Sequence, residues 1–254
     1  MKAVFVIPVY NHGATLDSVV SGLLHYNLPV IVVDDGNDEY NRAFITRVAE
    51  KYTGAVIPVR RNKNGGKGKA MSDGVRKAWE LGFTHVFQMD ADGQHDSLAC
   101  AAFLEAAGES PASIICGYPD YDDSVPLARR KGREFANMWA RFVTLDGSIK
   151  DVLCGFRVYP VKPYMELLRH HAVIDSRMGY DADILVRLMW KGVSLRQLPV
   201  RVTYPADGIS NFRMVRDNIH ISLTYTRLCA GLLLRLPLLA LRRFMAVRKD
   251  DGSK

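Results

Sequence analysis

The sequence predicts an α/β fold: a mostly parallel central sheet flanked by helices. Three observations predict it. Short runs rich in Val and Ile alternate with amphipathic stretches from residue 3 to residue 96, the spacing of βαβ units. These runs lead into polar or glycine-rich clusters, namely Pro8–His12, Asp34-Asp35-Gly36, a basic glycine loop over Arg60–Lys69, and Asp90-Ala91-Asp92-Gly93. Right-handed crossovers then gather the strand C-termini on one edge, where open α/β sheets bind ligands. The 254 residues suffice for one large domain. With no linker or repeat to divide it, we expect a catalytic domain over 1–212 and a basic helical tail over 213–254.

The elements follow in order. Ala3–Ile7 is β-rich and apolar throughout, as expected for a strand buried on both faces, and Pro8 is expected to end it. Leu16, Val19, Val20, Leu23 and Leu24 fall at helical spacing within Thr15–His25. Val30–Val33 is a second strand, Arg42–Tyr52 a second helix, and Val56–Val59 a third, short strand. The glycine loop opens a helix that reaches Leu81, and Val86–Met89 is the next strand. A helix over Ser97–Ala107, a strand over Ser113–Cys116 and a basic helix over Val125–Val143 come next. Ile149–Tyr159 is expected as a strand meeting a turn at Gly155, Tyr180–Lys191 as a helix, and Val193–Val202 as a further strand.

Composition narrows the class. Net charge is +7, and nearly all of the excess lies beyond residue 212, where nine Lys or Arg face three Asp. Over Ile219–Val247 those cations alternate with Leu, Ile and Phe, the pattern of a helix lying in a membrane interface and drawn to anionic lipid. A core-packing helix or a homodimer helix is the structural alternative. Nucleic-acid binding is not expected, because no recognition element is visible. Four scattered cysteines form no Cys-x-x-Cys pair, so neither disulfides nor structural zinc are expected, and a reducing, cytoplasmic setting fits. The N-terminal apolar run is too short for a signal peptide. Leu228–Leu241 is broken by Arg235 and Pro237, short of a spanning helix. No Gly-x-Gly-x-x-Gly follows the first strand, which disfavours a dinucleotide-binding dehydrogenase.

The chemistry centres on HVFQMDADGQHD, residues 85–96. Two carboxylates one residue apart at a strand end suit a hard divalent cation that shares its sphere with phosphate oxygens, either Mg2+ or Mn2+. Taken alone, such a pair is also what a solvated turn looks like. Asp34 and Asp35 can equally cap a turn, and Lys67 and Lys69 can be loop charges.

Taken together, IPVYN, VVDDG, GKGKA, DADGQH, DVLCGFRVY, GYDADILVRLMWKG and YPADGISNF occur here in a fixed order, over roughly Lys2 to Phe212. The set resembles the family-2 glycosyltransferases, and within them the polyprenyl-phosphate sugar synthases. The resemblance implies a single nucleotide-sugar-binding domain of the GT-A type. It implies that Pro8, Tyr10, Val33 and Asp35 hold the base and ribose of a nucleotide-diphosphate sugar, and that Asp90, Ala91 and Asp92 form the metal and diphosphate motif. Asp34, Lys67 and Gly68 are further candidate donor contacts from the residues themselves, since glycines in that loop allow close backbone approach to a phosphate or base. Asp90, Asp92 and Gln94 are implied as the metal ligands. Asp183 matches the acidic position near the acceptor, with Asp151 and Asp181 as alternatives, and Arg157 lies in the segment beneath the sugar.

Two kinds of acceptor require different groups. A hydroxyl needs a general base, for which Asp183 is the candidate. A polyprenyl phosphate needs cations instead, and Arg129, Arg130 and Arg133 are offered for it. The expected activity is that of an inverting, metal-dependent transferase acting on a lipid-linked acceptor at the cytoplasmic membrane face. A transferase of a glycan or small-molecule hydroxyl, and a non-catalytic membrane-surface protein, are the alternatives.

Overall fold

The computed structural model describes residues 1–120, 127–170, 173–201 and the helix 214–251, without the side chains of 127–129, 214–218, 240 and 242–251. The YPADGISNF motif at 204–212 lies outside the described residues. Seven strands form one sheet in the order β3-β2-β1-β4-β6-β5-β7. They are β1 (Ala3–Val9), β2 (Val30–Asp34), β3 (Val56–Arg60), β4 (His85–Gln88), β5 (Ile114–Asp120), β6 (Arg157–Pro160) and β7 (Leu195–Arg201). Among the described strands only β6 runs against its neighbours, β4 and β5.

Period-2 alternation divides the sheet between two cores. Phe5, Ile7 and Val9 of β1 with Val30 and Val32 of β2 face α1 (Gly13–Leu24) and α2 (Glu39–Lys51). Toward β6 the same face carries the rings of Phe87, Phe103 and Phe156, the second from α4 (Cys100–Glu109), with centroids 4.7–5.9 Å apart. Val4, Val6, Ile31 and Val33 point the other way, onto Met71 and Val75 of α3 (Lys67–Glu80). That layer continues through α5 (Leu127–Thr144), α6 (Val161–Arg169), α7 (Tyr180–Trp190) and α8 (Met214–Asp251).

Several expectations are corrected. Pro8 does not end β1, which runs on to Val9 in register with β2. The Phe5 N–H donates to Pro29 and the Val9 carbonyl accepts from Asp35, so odd residues of β1 bond β2. The nitrogen of Pro8 therefore faces β4, whose last paired residue lies opposite Val6, and no ladder bond is lost there. The strand expected over Ile149–Tyr159 is confined to Arg157–Pro160. Helix α6 follows it directly, with Pro163 in its first turn where no intrahelical donor is needed.

The tail is one 38-residue helix that contains Pro237. One face of it buries Thr224, Tyr225, Leu228, Leu232 and Leu239 against the layer of α5 and α7, with Tyr225 stacked on Trp139 of α5. On the other face Leu233 and Leu234 are 72% and 83% exposed. Phe135, Met138 and Phe142 of α5 are exposed as well. Among the described residues no helix is long and apolar enough to cross a membrane.

Candidate active site

The crevice at the C-terminal edge of β1, β2 and β4 is built by polar groups that lock the strand ends together. Asn37, buried, donates from Nδ2 to the Val9 carbonyl and to Asp34 Oδ1, at 2.8 and 2.7 Å. Its Oδ1 accepts the N–H of Asn11, which sits at φ 61°. Asp34 Oδ1 also accepts the Asn37 N–H, so this carboxylate caps the turn after β2. Pro8 lies opposite Val33, and Tyr10 projects from the strand end, 37% exposed. The Val33 side chain is fully buried toward α3, so it can offer a ligand its backbone only.

Asp35 organises the glycine loop. Its oxygens accept from the Gly65 and Gly66 N–H groups at 2.9 and 2.7 Å and from Asn64 Nδ2 at 2.9 Å, and Arg61 pairs with it at 2.8 Å. Burial pushes its carboxyl above the usual range against those donors. Gly66 adopts φ +89°, which glycine accepts without strain. Gly68 was expected to admit a phosphate or base. Its missing side chain instead admits the chain itself: a Cβ there would come 2.1 Å from the Asp175 carbonyl, and its N–H donates to Ser176.

At the head of α3, Lys67 Nζ lies 2.7 Å from Asp90 Oδ1 and 2.9 Å from Asp181 Oδ2. Gln88, a polar residue that follows Val86 and Phe87 at the end of β4, donates to the other oxygen of Asp181 at 2.8 Å. Burial pulls the Lys67 ammonium down, but Asp181 and Asp90 outweigh it and hold its pKa above the ordinary value. Burial pushes Asp181 up, and Lys67 and Arg157 more than offset it, keeping that carboxylate ionised. The carboxyl of Asp92 is raised by burial and by the charge of Asp90.

Asp92 is thus an under-neutralised anion, and a cation beside it would be welcome. Its Oδ1 accepts the Gln94 N–H at 3.0 Å, which closes the DADGQ turn. Among the described residues no group of three or more His, Cys, Asp or Glu gathers into a closed metal cage. Asp90 and Asp92, with Gln94 next in the turn, are the oxygen donors that could hold an ion whose remaining sphere is water and phosphate oxygens, the habit of Mg2+ and the hard oxygen chemistry of Mn2+.

Other expected residues lie elsewhere. Asp183 does not reach this cluster. It is fully buried, accepts the Asp175 N–H at 2.6 Å and Arg187 Nε at 2.7 Å, and burial raises its pKa. The acid of α7 that meets Lys67 is Asp181. Arg157 is fully buried as well, and donates to the carbonyls of Cys154, Asp181 and Val152 at 2.6–2.7 Å. Its guanidinium is spent on the chain's own carbonyls and is not presented to a substrate. Asp151 accepts the Leu153 and Cys154 N–H groups and faces Arg133 at 3.6 Å. Arg130 is exposed on the same helix, and the Arg129 side chain lies outside the described residues. Asn37 and Gln88 are not among the site residues expected from sequence. For Gln88 a signal existed, an amide closing an apolar run just before DADG.

A family model for glycosyl transferase family 2 matches residues 4–168. The chain belongs to glycosyl transferase family 2. Among relatives, it is 26% identical to polyprenol monophosphomannose synthase of Mycolicibacterium smegmatis, covering 86% of this chain and 83% of that protein. It is also 26% identical to UDP-N-acetylglucosamine–dolichyl-phosphate N-acetylglucosaminyltransferase of Methanococcus voltae, covering 78% and 84%. The fold is shared with the mannosyltransferase PcManGT of Pyrobaculum calidifontis, solved with GDP-Man and Mn2+, at TM-score 0.56 and 13% identity over 97% of this chain and 80% of that one. As a family-2 member this protein is a glycosyltransferase, and its mostly parallel, helix-flanked sheet is of the GT-A type.

Proposed function

We propose that this family-2 glycosyltransferase moves a sugar from a nucleoside-diphosphate donor to a lipid-linked phosphate, with inversion, at the cytoplasmic face of a membrane. The observation that carries the reading is the crevice beyond β4, where Asp90 and Asp92 stand beside Lys67 at the tip of the sheet. A nucleoside-diphosphate leaving group departs poorly until its charge is neutralised. Asp90, Asp92 and Gln94 would hold Mg2+ or Mn2+, and that ion, when bound, acts as a Lewis acid on the phosphate oxygens. Lys67 supplies a further positive charge from the opposite wall. Pro8, Tyr10 and Asp35 line the side where the base and ribose would lie, with Tyr10 free to stack. The names of the relatives are consistent with such donors and acceptors.

The state of the acids favours a phosphate acceptor. A hydroxyl would need a base, yet Asp183 is sealed and Asp181 is held ionised by Lys67 and Arg157, which makes it a weak proton acceptor. An acceptor that arrives as an anion needs no base. It needs cations, and α5 carries two candidates, Arg130, which is exposed, and Arg133, which also faces Asp151 at 3.6 Å. The exposed Leu face of α8 and the exposed Phe135, Met138 and Phe142 of α5, with basic residues nearby, support the reading that the protein lies at an anionic membrane interface. A product assay with GDP-, UDP- and CMP-sugars against polyprenyl phosphate vesicles tests the reading. Transfer to the phosphate supports it. Transfer to a glycan hydroxyl alone, lost in Asp181→Asn, would replace it with the hydroxyl-acceptor alternative.

A further inference from the structure

Asp90, assigned above to a divalent ion, is already gripped by a cation of the chain itself. Lys67 Nζ lies 2.7 Å from its Oδ1 and 3.0 Å from its Oδ2, and the same nitrogen reaches Asp181 Oδ2 at 2.9 Å. The contact is built from several sides. Lys67 opens α3 directly after Gly66, and the Gly68 N–H anchors that turn to the Ser176 carbonyl. Gln88 fixes the Asp181 carboxylate, and Arg157 fixes its backbone carbonyl. Gly155 leaves the room the pair needs. A Cβ there would stand 2.7 Å from Lys67 Nζ and 2.6 Å from Asp90 Oδ2. Lys67, Asp90 and Asp181 keep only 25%, 27% and 12% of their side-chain surface.

An ammonium on both oxygens of Asp90 and a divalent ion on the same carboxylate are like charges in one place. They compete unless another anion draws the ammonium aside. A diphosphate entering the crevice is such an anion, and it also brings oxygens that complete the ion's sphere. We infer that Lys67 makes metal loading conditional on the nucleotide: its ammonium guards Asp90 against a lone divalent ion and passes to the diphosphate when donor binds. The inference rests on the metal-and-diphosphate reading above. Reciprocity of binding free energies then requires that the ion tighten the nucleotide by the factor with which the nucleotide tightens the ion.

The test follows Mn2+ by its electron paramagnetic resonance signal, alone and with GDP or UDP, corrected for Mn2+ held by free nucleotide. Wild-type protein should bind Mn2+ alone weakly and at least tenfold more tightly with one of the two nucleotides. Lys67→Met should bind Mn2+ alone at least tenfold more tightly than wild type and lose most of the nucleotide enhancement. Because Lys67→Met leaves Asp90 and Asp181 face to face, the charge-balanced double variant Lys67→Gln/Asp181→Asn is measured beside it, with the same gain expected. If neither folded variant gains affinity for Mn2+ alone while wild type still shows nucleotide enhancement, the guarding role is overturned and the metal reading stands. If wild type takes up no Mn2+ with either nucleotide, the metal reading is overturned, and the guarding role with it.

Discussion

Asp90 and Asp92 sit one residue apart, yet they meet different surroundings. Asp90 has its cation in Lys67, whereas Asp92 is raised by burial and by its neighbour. Replacing Asp92 should therefore strike chemistry more than folding. Asp92→Asn should lower kcat by about 100-fold or more, the scale of the several kcal/mol that a Lewis-acid contact supplies. Its melting temperature should stay at or above wild type, since a charge that desolvation and Asp90 disfavour is removed; steady-state assay and calorimetry check both. Asp183→Asn should do the reverse. It weakens a charge-assisted bond with Arg187, and a loss of about 1–3 kcal/mol in urea unfolding is expected, with turnover of the folded fraction retained. The motif pointed to an acid on α7, but Asp181 and Asp183 lie on one short stretch, and nothing local says which faces the sheet. The reach of Gln88 from β4 and of Lys67 from α3 decides that, and they lie 93 and 114 positions away in the chain.

At the level of elements, β1, β2 and their helices were legible because Val- and Ile-rich runs and 3.6-residue periodicity are local signals. The direction of β6 was not, because pairing partners across the sheet leave no mark on a four-residue run. The gap that followed hid α6, whose nine residues carry a proline. Close packing between elements yields its own test. A Cβ on Gly74 of α3 would meet Val6 Cγ1 at 2.4 Å, so Gly74→Ala should destabilise by about 1–3 kcal/mol through overpacking, read as a lower urea midpoint. His85 opens β4 with Nε2 at 2.9 Å from the Pro111 carbonyl and Nδ1 at 2.9 Å from Thr84 Oγ1. Burial lowers its pKa below 6.5. The unfolded chain therefore binds this proton first. Its contribution to stability is full above the unfolded pKa and is lost as pH falls through the folded one. Urea midpoints from pH 7.5 downward should decline more steeply in wild type than in His85→Gln, by at most about 1.4 kcal/mol per pH unit.

Across the whole molecule, the tail bears on two readings that sequence alone could not separate, an interfacial helix and a core-packing one. Leu233 and Leu234 of α8 are exposed, the face on which the interfacial reading is tested. The same helix also covers α5 and α7 through Tyr225, Leu228 and Leu232, so deleting it from Asn218 onward would uncover core and confuse folding with membrane binding. The cleaner variant is Leu233→Glu/Leu234→Glu on the exposed face. Its melting curve should match wild type, while its partition onto anionic vesicles should fall about tenfold or more, given the ~1.5–3 kcal/mol that each fully buried Leu contributes. Unchanged sedimentation would contradict a membrane role for this face. Above all of this stands the claim that Asp90 and Asp92 hold a divalent ion beneath the donor's diphosphate. Its most direct test is calorimetric titration of GDP and UDP into wild type and Asp92→Asn, each with Mn2+ and with chelator. One nucleotide should bind wild type at least tenfold more tightly with Mn2+, and that difference should vanish in Asp92→Asn; equal affinity under all four conditions would contradict the claim.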